Sequence, residues 1–245
     1  MGGAMKLDVT FMPMENSKPL VIGGQPFSDY AQQSESLYLA SFEPKSFVAG
    51  PGVRFVIWVS GCHRRCPGCS QPEYLSFESG RLVLIEELWA KIRSESGIDG
   101  VCFSGGEPFE HIKPLAALAR MVHDSGLSVV SYTGYRLEAL QADRNKFGEL
   151  LDEVDLLIDG EFRQEETGHY RWRGSANQRL HCLSNRILLP EITQPIREMQ
   201  ITFDASGSEM RFSGIGTQNV ADQLRMALAA KGFQMDPKSP ISRKK

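Results

Sequence analysis

The sequence predicts an α/β fold with a mainly parallel sheet, and three observations predict it. Short β-branched or aromatic runs bounded by Gly and Pro alternate with stretches whose apolar residues recur at helical spacing. The intervening segments are long enough for the crossover that parallel strands require. The chain, at 245 residues and 41% hydrophobic, is also long enough to bury one substantial core.

Taken in order, residues 1–35 are punctuated by Pro13, Pro19, Gly23, Gly24 and Pro26 and read as an arm without sustained period. Leu37 to Phe42 and Val53 to Ser60 read as strands. Val83 to Glu95 places Leu84, Ile85, Leu88 and Ile92 on one helical face and leads into an apolar strand at Val101 to Ser104. A helix over Ile112 to Ser125, stopped at Gly126, precedes a strand from Leu127 to Tyr132 that ends at Thr133-Gly134. A helical stretch near Lys146 to Glu153 precedes the strand Asp155 to Gly160. Met199 to Asp204 and Glu209 to Ser213 flank A-S-G-S and suggest a hairpin. Gln218 to Lys231 is an amphipathic helix. The expected organisation is an arm (1–35), a single core with C-terminal hairpin and helix (36–235) and a flexible tail (236–245).

Charge and hydropathy narrow the function classes. Basic and acidic side chains number 27 and 30, a net charge of -3, which offers no footprint for nucleic acid. No run approaches the roughly 18 apolar residues of a membrane span, and Met1 to Met14 lacks the layout of a secretory signal. The expected location is the cytoplasm. The five cysteines are an odd number, and three fall within eight residues, which suits a metal centre better than a disulfide framework.

That cluster, G-C-H-R-R-C-P-G-C-S, sets Cys62, Cys66 and Cys69 in a C-x3-C-x2-C loop just after a strand. Thiolates are soft ligands suited to zinc or an iron-sulfur cluster, and His63, Arg64 and Arg65 offset their charge. Three cysteines leave one coordination position open, as in a 4Fe-4S cluster with one free iron. Zinc stays an alternative, with His63, Cys102, Cys182 or a distant His as fourth ligand. After the next strand, F-S-G-G-E-P-F brings Gly105 and Gly106, which permit close backbone approach, and Glu107, a carboxylate able to receive an ammonium. Cys102, inside an apolar strand, reads as a small buried hydrophobe, and Cys182 as a bystander. His111, His123, His169 and His181 lack paired metal spacing. Trp58, Trp89 and Trp172 read as packing area, with Trp172 between Arg171 and Arg173 also placed to line an opening.

The pairing of C-x3-C-x2-C with G-G-E-P after the following strand resembles radical SAM enzymes. C-P-G-C at Cys66 to Cys69, Y-T-G-Y at Tyr132 to Tyr135, L-I-D-G at Leu157 to Gly160 and R-G-S-A-N-Q-R at Arg173 to Arg179 resemble the anaerobic ribonucleotide reductase activating proteins, which activate glycyl radical enzymes. The resemblance spans about Gly50 to Arg179. It implies an incomplete (β/α) barrel with its site at the carboxyl ends of the strands, and a 4Fe-4S cluster on Cys62, Cys66 and Cys69. It also implies a pocket for S-adenosylmethionine (SAM) flanked by Gly68 and Ser70, with Ser104, Gly105, Gly106 and Glu107 receiving the methionine amino group. Thr133 and Gly134 would line the same mouth, and Asp159 and Asn177 would contact ribose or carboxylate; a plain turn is the other reading of Asp159-Gly160. The implied chemistry is reductive cleavage of SAM to a 5′-deoxyadenosyl radical, with a flavodoxin-like or ferredoxin-like electron donor. A glycine of a partner enzyme would be the hydrogen donor, and no side chain of this chain is expected to act as an acid, base or nucleophile. A maturase acting on another peptide or small molecule, and a non-catalytic metal-cluster binding module, are the alternatives. Ser70, where the family commonly carries an aromatic or larger residue, and the arm 1–35 depart from the pattern.

Overall fold

The structure, a computed structural model, describes residues 36–189, 199–203, 210–214, 226–227 and 230. The predicted arm and tail lie outside these residues, as does most of the predicted helix Gln218 to Lys231. Its residues 226, 227 and 230 are helical.

The fold is mixed α/β, as predicted, and centres on one seven-stranded sheet. Its strands are β1 (Ser36–Ser46), β2 (Arg54–Val59), β3 (Arg81–Leu84), β4 (Gly100–Gly105), β5 (Ser128–Thr133), β6 (Leu156–Asp159) and β7 (Arg179–Cys182). They lie in the order β3-β1-β2-β4-β5-β6-β7. The four central strands β2, β4, β5 and β6 run parallel, while β1, β3 and β7 pair antiparallel. The predicted hairpin forms between β8 (Met199–Phe203) and β9 (Met210–Gly214).

The helices are α1 (Ile85–Ser94), α2 (Ile112–Asp124), α3 (Leu137–Ala142) and α4 (Arg144–Leu151). Strand alternation sends Phe55, Ile57, Val101, Phe103, Val129 and Leu157 to the face these helices cover, where Leu88, Ile92, Leu115, Leu118 and Leu150 meet them. The opposite face carries Val56, Cys102, Val130, Leu156 and Ile158, covered by Trp172 and Ile187 from the segments after β6 and β7. Cys102 is fully buried there, in keeping with its reading as a small hydrophobe.

Several elements differ from expectation, and β1 runs on to Ser46, four residues past the expected end at Phe42. Arg81–Leu84 is a strand paired with β1 and not the first turn of a helix, because Leu84 is extended (ψ 142°) and α1 starts at Ile85. The six-residue α3 was not foreseen; its first turn depends on a distant acceptor, since the Leu137 N–H donates to Asp159 Oδ2 at 2.7 Å. β7, also unforeseen, is a half-exposed edge strand whose partner β6 supplies the apolar signal. Among the described residues no helix is long and apolar enough to cross a membrane.

Parallel pairing brings the carboxyl ends of β2, β4, β5 and β6 to one edge. In open α/β sheets this is the edge where ligands bind.

Candidate cluster and cofactor site

The cysteine loop leaves the carboxyl end of β2 and is fixed by backbone hydrogen bonds at its entry. Gly61 N–H donates to Tyr74 O (2.8 Å), Cys62 N–H to Leu75 O (3.1 Å), and Cys69 N–H to Cys66 O (3.1 Å). Cys62 is buried, and Cys66 and Cys69 are half-buried. All three thiols are free.

Burial raises the thiol pKa of Cys62 and Cys69, opposed at Cys62 by the N–H groups of Arg64 and Arg65 and at Cys69 by that of Gln71. The Cys66 thiol raises both further, so the three sulfurs lie within electrostatic reach of one another. A cluster suits this donor set, because its iron cations deprotonate the thiols and the N–H donors remain to bond the sulfurs. Among the described residues, no three Cys, His, Asp or Glu side chains converge at the spacing of a single metal ion.

Beside this loop lies the turn after β4. Gly106 N–H donates to Val59 O and Glu107 N–H to Gly61 O, both at 2.8 Å, which ties the G-G-E-P turn to the root of the cysteine loop. The approach is close enough that a Cβ on Gly106 would fall 2.2 Å from Gly61 O. Backbone faces backbone here, so no side chain can swing aside. Gly106→Ala is expected to cost about 3 kcal/mol or more of stability, at the upper end of overpacking penalties, and to lower the iron bound per chain. Thermal unfolding together with an iron assay checks both effects, and an unchanged melting temperature would contradict this contact.

Glu107 is 1% exposed. Its Oε1 accepts from Thr133 Oγ1 (2.9 Å) and Phe109 N–H (3.0 Å), and its Oε2 from Gly134 N–H (2.8 Å). Burial raises its pKa to about 7, against the pull of these donors and of Arg64. The carboxylate therefore clasps the carboxyl end of β5 to the turn after β4.

The structure brings together some of the predicted cofactor residues and sets others apart. Gly105, Gly106, Glu107, Thr133 and Gly134 lie together at the mouth with the three cysteines. Ser104 pairs with Trp58 across β4 and β2 and is half-buried. Gly68 and Ser70 are exposed on the loop, and Gly68, with φ 72°, abuts the side chain of Gln164. Asp159 and Asn177 hold neighbouring structure. Asp159, 0% exposed, accepts from Leu137 N–H and is ion-paired to Arg179; burial would raise its pKa, but these partners bring it below the ordinary value. Asn177 donates to Glu161 O (2.8 Å) and accepts from Ser175 Oγ (2.7 Å).

Sequence reasoning named Arg64 and His63 as charges beside the thiolates but missed their partners Tyr135, Glu161 and Glu110. The Arg64 guanidinium stacks 4.9 Å over the Tyr135 ring and faces Glu161 at 3.5 Å, and its stem lies against Gly134. His63 Nδ1 meets Glu110 Oε1 at 3.1 Å, and Tyr135 Oη donates to the same oxygen at 3.2 Å. The only sequence signal was adjacency to the cysteine, G-G-E-P and Y-T-G-Y motifs. Trp172, 5% exposed and left-handed (φ 58°), lies over the inner sheet face with its indole N–H unpartnered among the described residues.

Comparison with known proteins finds relatives over the same part of the chain. The 4Fe-4S single cluster domain family matches residues 48–181. The anaerobic ribonucleoside-triphosphate reductase-activating protein of Salmonella typhimurium is 32% identical over 152 residues, 58% of this chain and 96% of that protein. The protein of the same name from Enterobacteria phage T4 is 33% identical over 145 residues, 56% of this chain and 88% of its own. That of Escherichia coli (strain K12) is 30% identical over 151 residues, 58% of this chain and 96% of its own.

Proposed function

The chain belongs to the 4Fe-4S single cluster domain family, and on that premise we propose that it is a radical SAM enzyme that activates a partner reductase by hydrogen abstraction from a glycine. The observation that carries this reading is the loop of Cys62, Cys66 and Cys69 at the carboxyl ends of parallel strands, bonded through Gly61 to the Gly105–Glu107 turn. The open sheet, with four parallel strands at its centre, is read as the incomplete barrel of such enzymes.

Cys62, Cys66 and Cys69 would hold the cluster, and the Gly105–Glu107 turn and Thr133–Gly134 beside them would line the SAM pocket. When bound, the cluster would supply one-electron reducing power, drawn from a flavodoxin-like or ferredoxin-like donor, for the reductive cleavage of SAM to methionine and a 5′-deoxyadenosyl radical. The chain's own residues do the positioning. The backbone N–H groups of Arg64 and Arg65 bond the Cys62 sulfur, while the Arg64 guanidinium itself is held by Tyr135 and Glu161. Glu107 fixes Thr133 and Gly134 at the mouth, so the backbone there is set before a ligand arrives. Trp172 covers the inner sheet face and keeps water from it.

The test is anaerobic reconstitution with iron and sulfide, reduction, and EPR spectra with and without SAM. A 4Fe-4S signal altered by SAM, 5′-deoxyadenosine among the products, and a radical signal on an added anaerobic reductase are expected. A cluster signal indifferent to SAM would reject the enzyme in favour of a cluster-binding module.

A further inference from the structure

At the opposite end of the sheet, where β2, β4 and β5 begin, lies a cavity of about 520 Å³ lined by Arg54, Asp99, Ser128, Arg186, Ile187 and Leu188, among others. Arg54 is 2% exposed, so its guanidinium has left water almost completely. A buried cation is costly unless a counter-charge meets it. Its hydrogen bonds go to neutral oxygens: Nε donates to Pro51 O (2.5 Å), and Nη1 to Ser128 Oγ (2.6 Å) and Ser128 O (3.4 Å). Nη2 has no partner among the described residues, and no carboxylate there forms an ion pair with Arg54.

The nearby acids are otherwise engaged. Asp99 Oδ2 accepts from Val53 N–H at 2.7 Å. Asp155 is held by His123, Ser184 and the Val129 N–H. Burial pulls the Arg54 pKa down, and Asp99 and Asp155 act on it only through space. A second guanidinium, Arg186, stands half exposed on the same cavity and makes a loose 3.8 Å ion pair with Asp155. Leu188 beside it is 84% exposed.

We propose that this cavity binds a small oxyanion, a carboxylate or phosphate group, between Arg54 and Arg186, with the ligand's apolar remainder against Ile187 and Leu188. The guanidinium fork matches such groups in geometry and charge. Asp99 on the same wall repels a second anionic group, so the ligand carries one anionic head and is not a polyphosphate. The site lies at the far end of the strands from the cysteine loop and does not depend on the function proposed above.

The test is thermal unfolding of the cluster-loaded full-length protein titrated with sodium phosphate or sodium acetate, against sodium chloride at matched ionic strength. A saturable rise in melting temperature beyond the chloride control is expected, and the anion that saturates at lower concentration identifies the head group. Arg186→Ala, a change at a half-exposed side chain, is expected to weaken apparent affinity roughly tenfold, the worth of one charge-assisted hydrogen bond. Arg54→Lys keeps the charge but loses the fork, and should weaken binding similarly while circular dichroism confirms folding. A response equal to that of chloride, or equal affinity in wild type and Arg186→Ala, would overturn the proposal. Bound iron, measured in parallel, separates either result from failure at the cysteine loop.

Discussion

Replacing any one of Cys62, Cys66 and Cys69 with alanine is expected to reduce iron and sulfide bound after anaerobic reconstitution to background, from about four irons per chain. The loss is all-or-none because the loop offers three soft ligands and a cubane needs each of them. Other thiols cannot substitute. Cys102 lies inside β4 with no exposure, and burial pushes its thiol pKa up to about 12, so it stays protonated and out of reach. Cys182 ends β7, outside the loop.

The fold should outlast the cluster in these variants. The entry to the loop is held by backbone hydrogen bonds from Gly61 and Cys62 to Tyr74 and Leu75, and the core on the helix side of the sheet excludes the three cysteines. Far-ultraviolet circular dichroism of the Cys66→Ala and Cys69→Ala proteins should match wild type. Cys62→Ala is expected to be the least stable, since Cys62 is 7% exposed. Cys182→Ser serves as control and should retain full iron. Retention of a normal cluster in any of the three loop variants would refute the assignment of ligands.

How far the sequence revealed the molecule depends on where each signal resides. The runs at Val53 to Ser60, Val101 to Ser104 and Leu127 to Tyr132 were legible as strands because both of their faces are buried and the apolar run is continuous. β7 was not, since R-L-H-C is half-exposed and becomes a strand only through pairing with β6. The cysteine loop was legible because ligand spacing is local. The roles of Asp159 and Asn177 were not, because they follow from partners 20 and 16 residues away, Arg179 and Glu161. The same holds for Glu107. Its motif marks it as important, but only the placement of Thr133 and Gly134 on the adjacent strand shows that its carboxylate is enclosed.

That enclosure gives Glu107 a second, separable signature. Removing the carboxylate leaves the Thr133 hydroxyl and the Phe109 and Gly134 N–H groups without their acceptor, and each such loss costs about 1–3 kcal/mol, partly offset by relief of a buried charge. Glu107→Ala is therefore expected to lower stability by about 3 kcal/mol near pH 5. The pH dependence follows from the pKa of about 7 in the folded protein against 4.5 as the ordinary value. The folded state holds the proton more tightly than the unfolded chain, so the stabilisation is complete below the ordinary value and fades as pH rises towards and through 7. The change across that window is on the order of 3 kcal/mol. Urea unfolding of wild type and variant at several pH values between 5 and 8 isolates it, since other titrating groups cancel in the difference. The gap between the two proteins should narrow as pH rises. A residue that served only to receive the methionine amino group would behave otherwise: Glu107→Ala would then unfold like wild type at every pH and lose only SAM binding, whereas a clasp at the mouth must weaken both together.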